Sequence, residues 1–448
     1  MRLFLQFQVV MWLLAATVWG KDFKGGTIVE WGAQDLSFGD VHVFPNTIWS
    51  MINNAASNFR GNIQVDKTGG LYVSTNSSDM QLSATAREFA LHPVYSFIND
   101  GIVSFNAIKG APLYAFWIIG KTFKNTGDLF FSASGEGTAI SGVKSEDWHN
   151  NGNIHFYQTK KSGSFVQLGK DAKTLQNDGQ VCFTNQNWHQ LAGVLGTGCF
   201  TASGKSSFYL MNNAVPFSEN QILYLDGSES SIMAIPTNFG PLTYHVRGFG
   251  TYEDGNANKI GLTATLRQSD AGEPAWEYDV KNGNLTLRVG PYVSSFEIGT
   301  GYDPKKFEVV SDTSEEIPQV HLGAVQYNGP PPQTGIPAEC KPCKPIPDIP
   351  EVAKPAPSSS STVETTLRTS LSSSSAATET TLETTTSAVE TTMSTSSTPV
   401  SPTGTPSPSE TTSVSSSSKS RRIKTVTVME TDIVMFTSTV TITSTVTL

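Results

Sequence analysis

A nine-residue pattern occurs four times in the first half of the chain and limits the fold more than any other feature. Aligned on a central glycine, the copies read "FINDGIVSF", "FKNTGDLFF", "WHNNGNIHF" and "LQNDGQVCF". The four glycines, Gly101, Gly127, Gly152 and Gly179, follow one another at intervals of roughly 26 residues. A steady period of this size predicts structural units that stack on one another.

Each position of the pattern has a physical meaning. An asparagine precedes each glycine by two residues, an aliphatic residue follows by two and a phenylalanine follows by four: Asn99, Asn125, Asn150 and Asn177; Val103, Leu129, Ile154 and Val181; Phe105, Phe131, Phe156 and Phe183. Residues two apart on a strand face the same side. We therefore expect interior ladders of aliphatic and phenylalanine side chains, an asparagine ladder at the turn, and a bend at the glycine where a positive φ is available.

A period of about 26 residues accommodates three short strands per turn and predicts a right-handed parallel β-helix over 21–223. Weaker copies of the pattern, such as "TGGLYV" and "GTGCFTASG", flank the four clear ones. The alternative is a β-sandwich of short strands, which does not explain the regular asparagine and phenylalanine positions. The repeat then disappears, and over 224–329 short strand-like runs alternate with turn signals such as "DGNANK" and "KNGN". This second region predicts an antiparallel β-sandwich that covers the end of the solenoid.

The remaining segments differ sharply in composition. Residues 1–20 have the pattern of a secretory signal peptide, with Arg2 before an apolar run. Residues 330–357 are rich in proline and predict an extended linker. Residues 358–424 are dominated by Ser and Thr, which in a secreted chain is typical of a disordered, O-glycosylated stalk. Residues 425–448 alternate Thr with Val or Ile, which favours β structure and differs from the apolar tail of a lipid-anchor signal.

Four cysteines in a secreted chain allow two disulfides in three possible pairings. The position three residues after the glycine holds Ser104, Phe130, His155 or Cys182, and this variability is typical of an outward-facing site. We therefore expect Cys182 and Cys199 of the solenoid to be bonded to Cys340 and Cys343 of the linker. The alternative, a bond within Cys340-Lys-Pro-Cys343, resembles a redox motif without a redox domain around it.

Three segments carry a family resemblance: "YHVRGFGTYEDGNANKIGL", "AWEYDVKNGNLTL" and "FEIGTGYDPKKFEVV". Together with the cysteines and the Ser/Thr-rich region, they resemble the N-terminal domain of the fungal hyphally regulated cell-wall proteins, an adhesin-like group. The resemblance covers residues 21–343. It implies a β-helix capped by a β-sandwich, displayed at the fungal cell wall on a glycosylated stalk. How the chain is retained at the wall is left open by its final segment.

Parallel β-helices also form polysaccharide hydrolases and lyases, so a carbohydrate-active enzyme is the alternative function. Such chemistry needs converging carboxylates or a bound Ca²⁺. The sequence places Asp100, Asp128, Asp147 and Asp178 near turns without pairing them. The stretch "SEDWH" brings together Glu146, Asp147 and His149 and is interpreted as a polar loop, while His149 and His155 alone are too few for a metal site. We therefore predict a non-enzymatic protein with no catalytic residues, metal or cofactor.

The same features limit the partners. A net charge of −9 without a basic patch argues against nucleic acid, and no segment predicts a membrane span. The expected partners are wall polysaccharide and a host or abiotic surface ligand, for which a glycan is one candidate. Trp117, Trp148 and Trp188 are candidates for stacking on sugars, although buried packing is the commoner role of tryptophan in such strands. Asn76 and Asn284 begin N-glycan acceptor triplets.

Overall fold

The computed structural model describes residues 20–351, apart from 33–36, 79–80, 88–95, 111–113, 138–139, 172, 238–241 and 316. Nearly all of the expected signal peptide, the Ser/Thr-rich stretch 358–424 and the Thr/Val-rich stretch 425–448 lie outside the described residues. The described part of the chain contains no helix long and apolar enough to cross a membrane.

The described residues form β-strands and one 3₁₀ turn, Pro304–Lys306. In chain order the strands are β1 (Lys21–Phe23), β2 (Gly26–Trp31), β3 (Ser37–Phe38), β4 (Val41–Val43), β5 (Thr47–Ile52), β6 (Ala56–Phe59), β7 (Ile63–Val65), β8 (Gly70–Ser74), β9 (Leu82–Arg87), β10 (Ser96–Asn99), β11 (Ile102–Ala107), β12 (Tyr114–Asn125), β13 (Asp128–Ala133), β14 (Ile140–Asn150), β15 (Asn153–Gln158), β16 (Phe165–Leu168), β17 (Thr174–Asn177), β18 (Gln180–Thr184), β19 (Asn187–Gln190), β20 (Gly193–Leu195), β21 (Cys199–Ser203), β22 (Ser207–Leu210), β23 (Ile222–Asp226), β24 (Ser231–Ala234), β25 (Thr243–Arg247), β26 (Lys259–Leu262), β27 (Trp276–Asp279), β28 (Asn284–Val289), β29 (Tyr292–Glu297), β30 (Phe307–Asp312) and β31 (Val320–Tyr327).

The strands coil into a parallel β-helix with three faces, as the repeat predicts. Face 1 is the parallel ladder β2, β5, β8, β11, β13, β15, β18, β21, β23 and β25. Face 2 runs from β3 and β6 to β24 and β26, and face 3 from β1 and β4 to β17 and β20. Strands β12 and β14 are long enough to bend across the corner between faces 2 and 3, so one sheet of 18 strands contains both faces.

The interior ladders have the register that the repeat predicts. Val103 pairs with Leu129, Leu129 with Ile154 and Ile154 with Val181, and all four side chains are fully buried. The phenylalanines stack beside them, with ring centroids 5.5 Å apart for Phe105 and Phe131, 4.7 Å for Phe131 and Phe156, and 5.5 Å for Phe156 and Phe183. We call each turn of the coil a rung. Because each of these rungs buries an aliphatic and an aromatic side chain, the coil has a continuous apolar core.

The asparagines form a hydrogen-bonded ladder at the corner between faces 3 and 1. The side-chain Nδ2 of Asn99 donates to Oδ1 of Asn125, that of Asn125 to Asn150 and that of Asn150 to Asn177, each at 2.8 Å. All four amides are buried. Since each amide is both a donor and an acceptor, the ladder satisfies polar groups that burial would otherwise leave unpaired.

The repeated glycines are required for a different reason from the one expected. None of Gly101, Gly127, Gly152 and Gly179 has a positive φ. Instead, a Cβ on Gly127 would lie 2.1 Å from the carbonyl oxygen of Gly101, and one on Gly152 would lie 2.1 Å from that of Gly127. The glycines stack directly over one another, and the rung spacing leaves no room for a side chain between them.

The solenoid ends in an antiparallel two-layer cap that continues both sheets. Parallel pairing extends beyond residue 223, where the sequence suggested a change, and reaches β25 and β26. Strand β29 then adds to β25 and pairs antiparallel with β28, while β31 pairs antiparallel with β26 and β30. Between the two layers lies an aromatic cluster that includes Phe249, Tyr278, Tyr302, Phe307 and Tyr327.

Candidate functional site: a disulfide-held linker and a lysine-lined groove

Two disulfides fasten the proline-rich linker to the outward surface of face 1. Cys182 on β18 is bonded to Cys343, with Cα atoms 5.8 Å apart, and Cys199 on β21 is bonded to Cys340 at 5.2 Å. This confirms the predicted pairing between solenoid and linker. Cys182 faces out of the coil as expected, yet the linker above it buries it fully. We call residues 340–344, with these two bonds, the clasp.

Polar contacts extend the clasp along the solenoid. The backbone N–H of Lys341 donates to Gln180 Oε1 at 2.9 Å. The Lys344 ammonium lies 2.6 and 2.8 Å from the two carboxylate oxygens of Asp128 on β13. The partners of the linker therefore move from β21 through β18 to β13 as its residue numbers rise. The linker consequently runs back along face 1, towards the N-terminal strands.

His155 lies beneath the end of the clasp and binds its last residue, Lys344. Its Nδ1–H donates to the Lys344 carbonyl at 2.9 Å, and its Nε2 accepts from the Thr184 hydroxyl at 2.9 Å. Burial lowers the pKa of His155 to about 4, so the imidazole is neutral at neutral pH. His155 is therefore a structural residue beneath the linker.

The acidic residues that the sequence singled out mostly make contacts between neighbouring rungs. Asp100 accepts a hydrogen bond from Thr126, Asp128 binds Lys344, and Asp178 accepts from Thr197 and Gln176. These bonds fix turns and the linker, and they leave the carboxylates spread over different rungs.

The "SEDWH" stretch is part of strand β14 and not the polar loop expected from its composition. Glu146 faces solvent, where its hydrogen bond with Lys170 lowers the pKa of the Glu146 carboxyl. Asp147 pairs with His149 at 2.8 Å on the surface of face 3. His149 and His155 lie on different faces, and the described residues contain no cluster of three or more potential metal ligands.

The three candidate tryptophans do not offer open faces to a sugar. Trp148 and Trp188 are buried inside the coil, where Trp188 stacks on Phe200 with centroids 4.6 Å apart. Trp117 faces outward, but it lies over Gly142, where a Cβ would come within 2.7 Å of the indole, and is only 8% exposed. All three tryptophans have a packing role. Trp148 and Trp188 are covered because they face the interior of the coil, and Trp117 is covered because it lies against Gly142.

A groove that the sequence did not reveal lies at the corner between faces 1 and 2. Its cavity volume is about 690 Å³, and Lys160, Lys161, Lys205 and Lys259 line it. The loop 251–257 and the turn 313–315 form its walls. We call this feature the lysine groove. Its lysines come from three segments far apart in sequence, which is why no local motif marks it.

Partly buried hydrogen bonds hold the walls of the lysine groove. The Tyr252 hydroxyl donates to the Leu225 carbonyl at 2.5 Å, and burial raises the pKa of Tyr252 to about 12. Ser228 donates to Asp254 at 2.5 Å, which lowers the pKa of that carboxyl. On the other wall, Ser314 donates to buried Asp312 at 2.8 Å. The groove is therefore preformed, since its walls are tied to the core.

The two glycan acceptor asparagines differ in exposure. Asn76 is exposed in a turn after β8, and its Oδ1 accepts from Asn53 at 2.8 Å. Asn284 begins β28 in the cap, is half-buried, and its Oδ1 is buried without a hydrogen-bond partner.

Residues 11–350 match the family described as hyphally regulated cell wall protein N-terminal. The chain belongs to this family. Among its relatives in Candida albicans (strain SC5314 / ATCC MYA-2876), cell wall protein IFF6 is 36% identical over 318 residues, cell wall protein IFF9 is 36% identical over 345 residues, and hyphally regulated cell wall protein 3 is 34% identical over 341 residues.

These matches cover 70%, 76% and 76% of this chain but only 28%, 35% and 26% of the respective relatives. The chain thus spans about a third or less of the length of the curated relatives it matches. The chain contains a hyphally regulated domain, and its relatives are named cell wall proteins. Its location is therefore the cell wall or cell surface.

Proposed function

We propose that this hyphally regulated domain is a non-enzymatic cell-wall module that mediates adhesion or forms part of the wall coat. The observation that carries the proposal is the clasp. Two disulfides, an ion pair and two hydrogen bonds fix four residues of the linker to strands of one face. Such a tie lets a folded domain carry force from the chain that follows it.

The positions of the acidic side chains support the non-enzymatic part of the proposal. Polysaccharide hydrolysis needs two carboxylates on either side of one bond. Asp100, Asp128 and Asp178 are each committed to contacts within the fold. The lysine groove does contain Glu229 and Glu315, and Glu229 forms an ion pair with Lys205 at 3.1 Å. These two carboxylates are the ones to test for catalysis.

Adhesion is tested with beads that carry the full secreted chain through its C-terminus. We expect the beads to stay attached to yeast cells, mammalian cells or polystyrene under shear flow. The matched variant, C182S/C343S with C199S/C340S, should bind at rest but detach at lower shear because its linker is free. A lack of attachment to every surface would leave only the wall-coat role.

Catalysis is tested by incubating the same protein with a panel of fungal and plant polysaccharides. We expect no release of reducing ends or unsaturated products. Robust turnover that Glu229→Gln or Glu315→Gln abolishes would overturn the proposal and favour a carbohydrate-active enzyme.

A further inference from the structure

We propose that the lysine groove is a binding site for a linear anionic polysaccharide. The proposal rests on the proposed function, since it names a class of ligand for the binding module. The charge of the groove differs from that of the chain: four lysines and two glutamates line it, whereas the whole chain has a net charge of −9. A polyanion would therefore be repelled by most of the protein and attracted to this corner.

The lysines are available to a ligand to different degrees. Lys259, on β26, is half-buried and has no carboxylate within ion-pair distance among the described residues. Lys205 is paired with Glu229, but both side chains are about half exposed. Exposed pairs of this kind contribute little and exchange readily for another anion. Lys161 is held in place because its ammonium donates to Asn187 Oδ1 and the Lys205 carbonyl.

The shape of the groove favours an extended chain. Much of its lining comes from the turns that follow β15, β21, β23 and β25, so this part of the groove runs along the solenoid axis. Four rung spacings of about 4.8 Å give a length of roughly 19 Å. A single phosphate would fill only a small part of this length, whereas several sugar units would lie along it.

The uncharged lining favours a sugar over a peptide. Apart from the charged residues, the described lining of the groove presents hydroxyls and amides, including Thr251, Ser314, Gln326 and Asn328, and its only apolar side chain is Ala257. An acidic peptide would bring apolar side chains that find no pocket here. A neutral glycan would gain little from the lysines, and the described residues of the lining include no aromatic ring for stacking. A chain of hydroxyls and carboxylates or phosphates matches both parts of the lining.

The test is isothermal titration of the full secreted chain with polygalacturonate oligomers, and with laminarin oligomers of equal length as the neutral control. We expect polygalacturonate to bind, with an affinity that falls as salt rises. Lys259→Gln and Lys205→Gln should each weaken binding at least fivefold. The matched variants Lys281→Gln and Lys305→Gln, which remove the same charge from exposed turns of the cap, should change it less than twofold. Glu315→Gln should tighten binding.

Several outcomes would overturn the inference: no binding of polygalacturonate, equal binding of laminarin, or equal losses from the groove and cap variants. Equal affinity for polyglutamate or single-stranded DNA would remove the assignment to a glycan. The melting temperature of each variant checks folding, and having two groove lysines keeps the test decisive if one variant is unstable. If beads adhere while polygalacturonate does not bind, the groove proposal fails and the adhesion proposal stands. If polygalacturonate binds while the beads do not adhere, the adhesion proposal fails and the groove proposal stands.

Discussion

Cys343 is bonded to Cys182, which lies 161 residues earlier in the chain, and the bond attaches the linker near the middle of the solenoid. The remaining coils, the cap and the first part of the linker therefore lie within a covalently closed loop. The bond between Cys199 and Cys340 closes a second loop of 141 residues inside the first. A pull on the chain after residue 343 reaches the N-terminal coils through Cys182 and bypasses everything in the loop.

We predict that force applied between the two ends of the chain will unfold only the coils before Cys182 while the disulfides are intact. Reducing both bonds should add the extension of 161 residues, about 550 Å at 3.3–3.6 Å per residue. Single-molecule force spectroscopy with and without reductant measures this difference.

The two bonds can be separated by matched variants. C199S/C340S should leave the oxidised extension unchanged because the outer bond still closes the loop. C182S/C343S should lengthen it by roughly 20 residues, or about 70 Å, because the load then reaches Cys199 and Cys340. If the full chain extends in oxidising conditions, the clasp carries no load.

The clasp should weaken in acid because of His155. Its pKa is about 4 in the folded protein and near 6.5 when exposed, so the unfolded state binds the extra proton first. The contribution of His155 to the stability of the folded state is fully present above pH 6.5 and is lost as the pH falls towards 4. The loss is about 3 kcal/mol in the free energy of unfolding, or of local opening, over this window.

Urea unfolding of the wild type and His155→Asn at pH 7 and pH 4.5 measures this contribution. Asparagine keeps a donor for the Lys344 carbonyl but does not titrate. Other acid-sensitive groups affect both proteins alike, so the difference between their pH dependences belongs to His155. Identical pH dependences would show that the imidazole is not held neutral beneath the linker.

The asparagine ladder should be among the most sensitive parts of the coil. Asn125→Ala removes one acceptor of the Asn99 amide, which keeps its bond to the Asp128 carbonyl, and removes the donor to the buried Asn150 Oδ1. We expect a loss of about 2–4 kcal/mol in the free energy of unfolding. Asn151→Ala, at an exposed position in the turn, should change it by less than about 0.5 kcal/mol. Thermal or denaturant unfolding compares the two, and equal effects would contradict a structural ladder.

N-glycosylation should follow exposure. We expect Asn76 to be modified in the secreted protein and Asn284 to be modified less fully, since its side chain is half-buried at the start of a strand. Mass spectrometry of peptides after enzymatic deglycosylation measures both occupancies, with Asn76→Gln as the control. A higher occupancy at Asn284 would show that modification precedes folding of the cap.

The sequence predicts the coil well where its constraint is repeated. Asn125 and Phe131 each stack on residues of their own type and Leu129 stacks on aliphatic ones, so neighbouring turns of the coil impose the same kind of residue. The parallel pairing of β24 to β26 lies beyond the boundary expected at residue 223, because the clear copies of the repeat end before it, although Val246 still faces inward. A sequence repeat identifies a turn of the coil only where that turn keeps the residues of the other copies.

The sites are harder to predict because distant segments form them. The outward direction of Cys182 indicated a partner from elsewhere, and the linker provides it. His155, in the same outward row, was considered as a ligand, since nothing in the sequence shows that the Lys344 carbonyl covers it. In the sequence Lys205 and Lys259 look like ordinary surface residues, and only the coil brings their segments to one corner.

The stack of glycines limits the ways in which homologous domains can differ in the length of the solenoid. Because each glycine accommodates the carbonyl of the previous rung, whole coils can be duplicated or deleted without disturbing the corner, and domain length then changes in steps of about 4.8 Å. The coils from Asp128 to Cys199 are the exception, since one short piece of linker has to reach all of them. Variation in coil number among relatives should therefore fall on either side of this fixed segment.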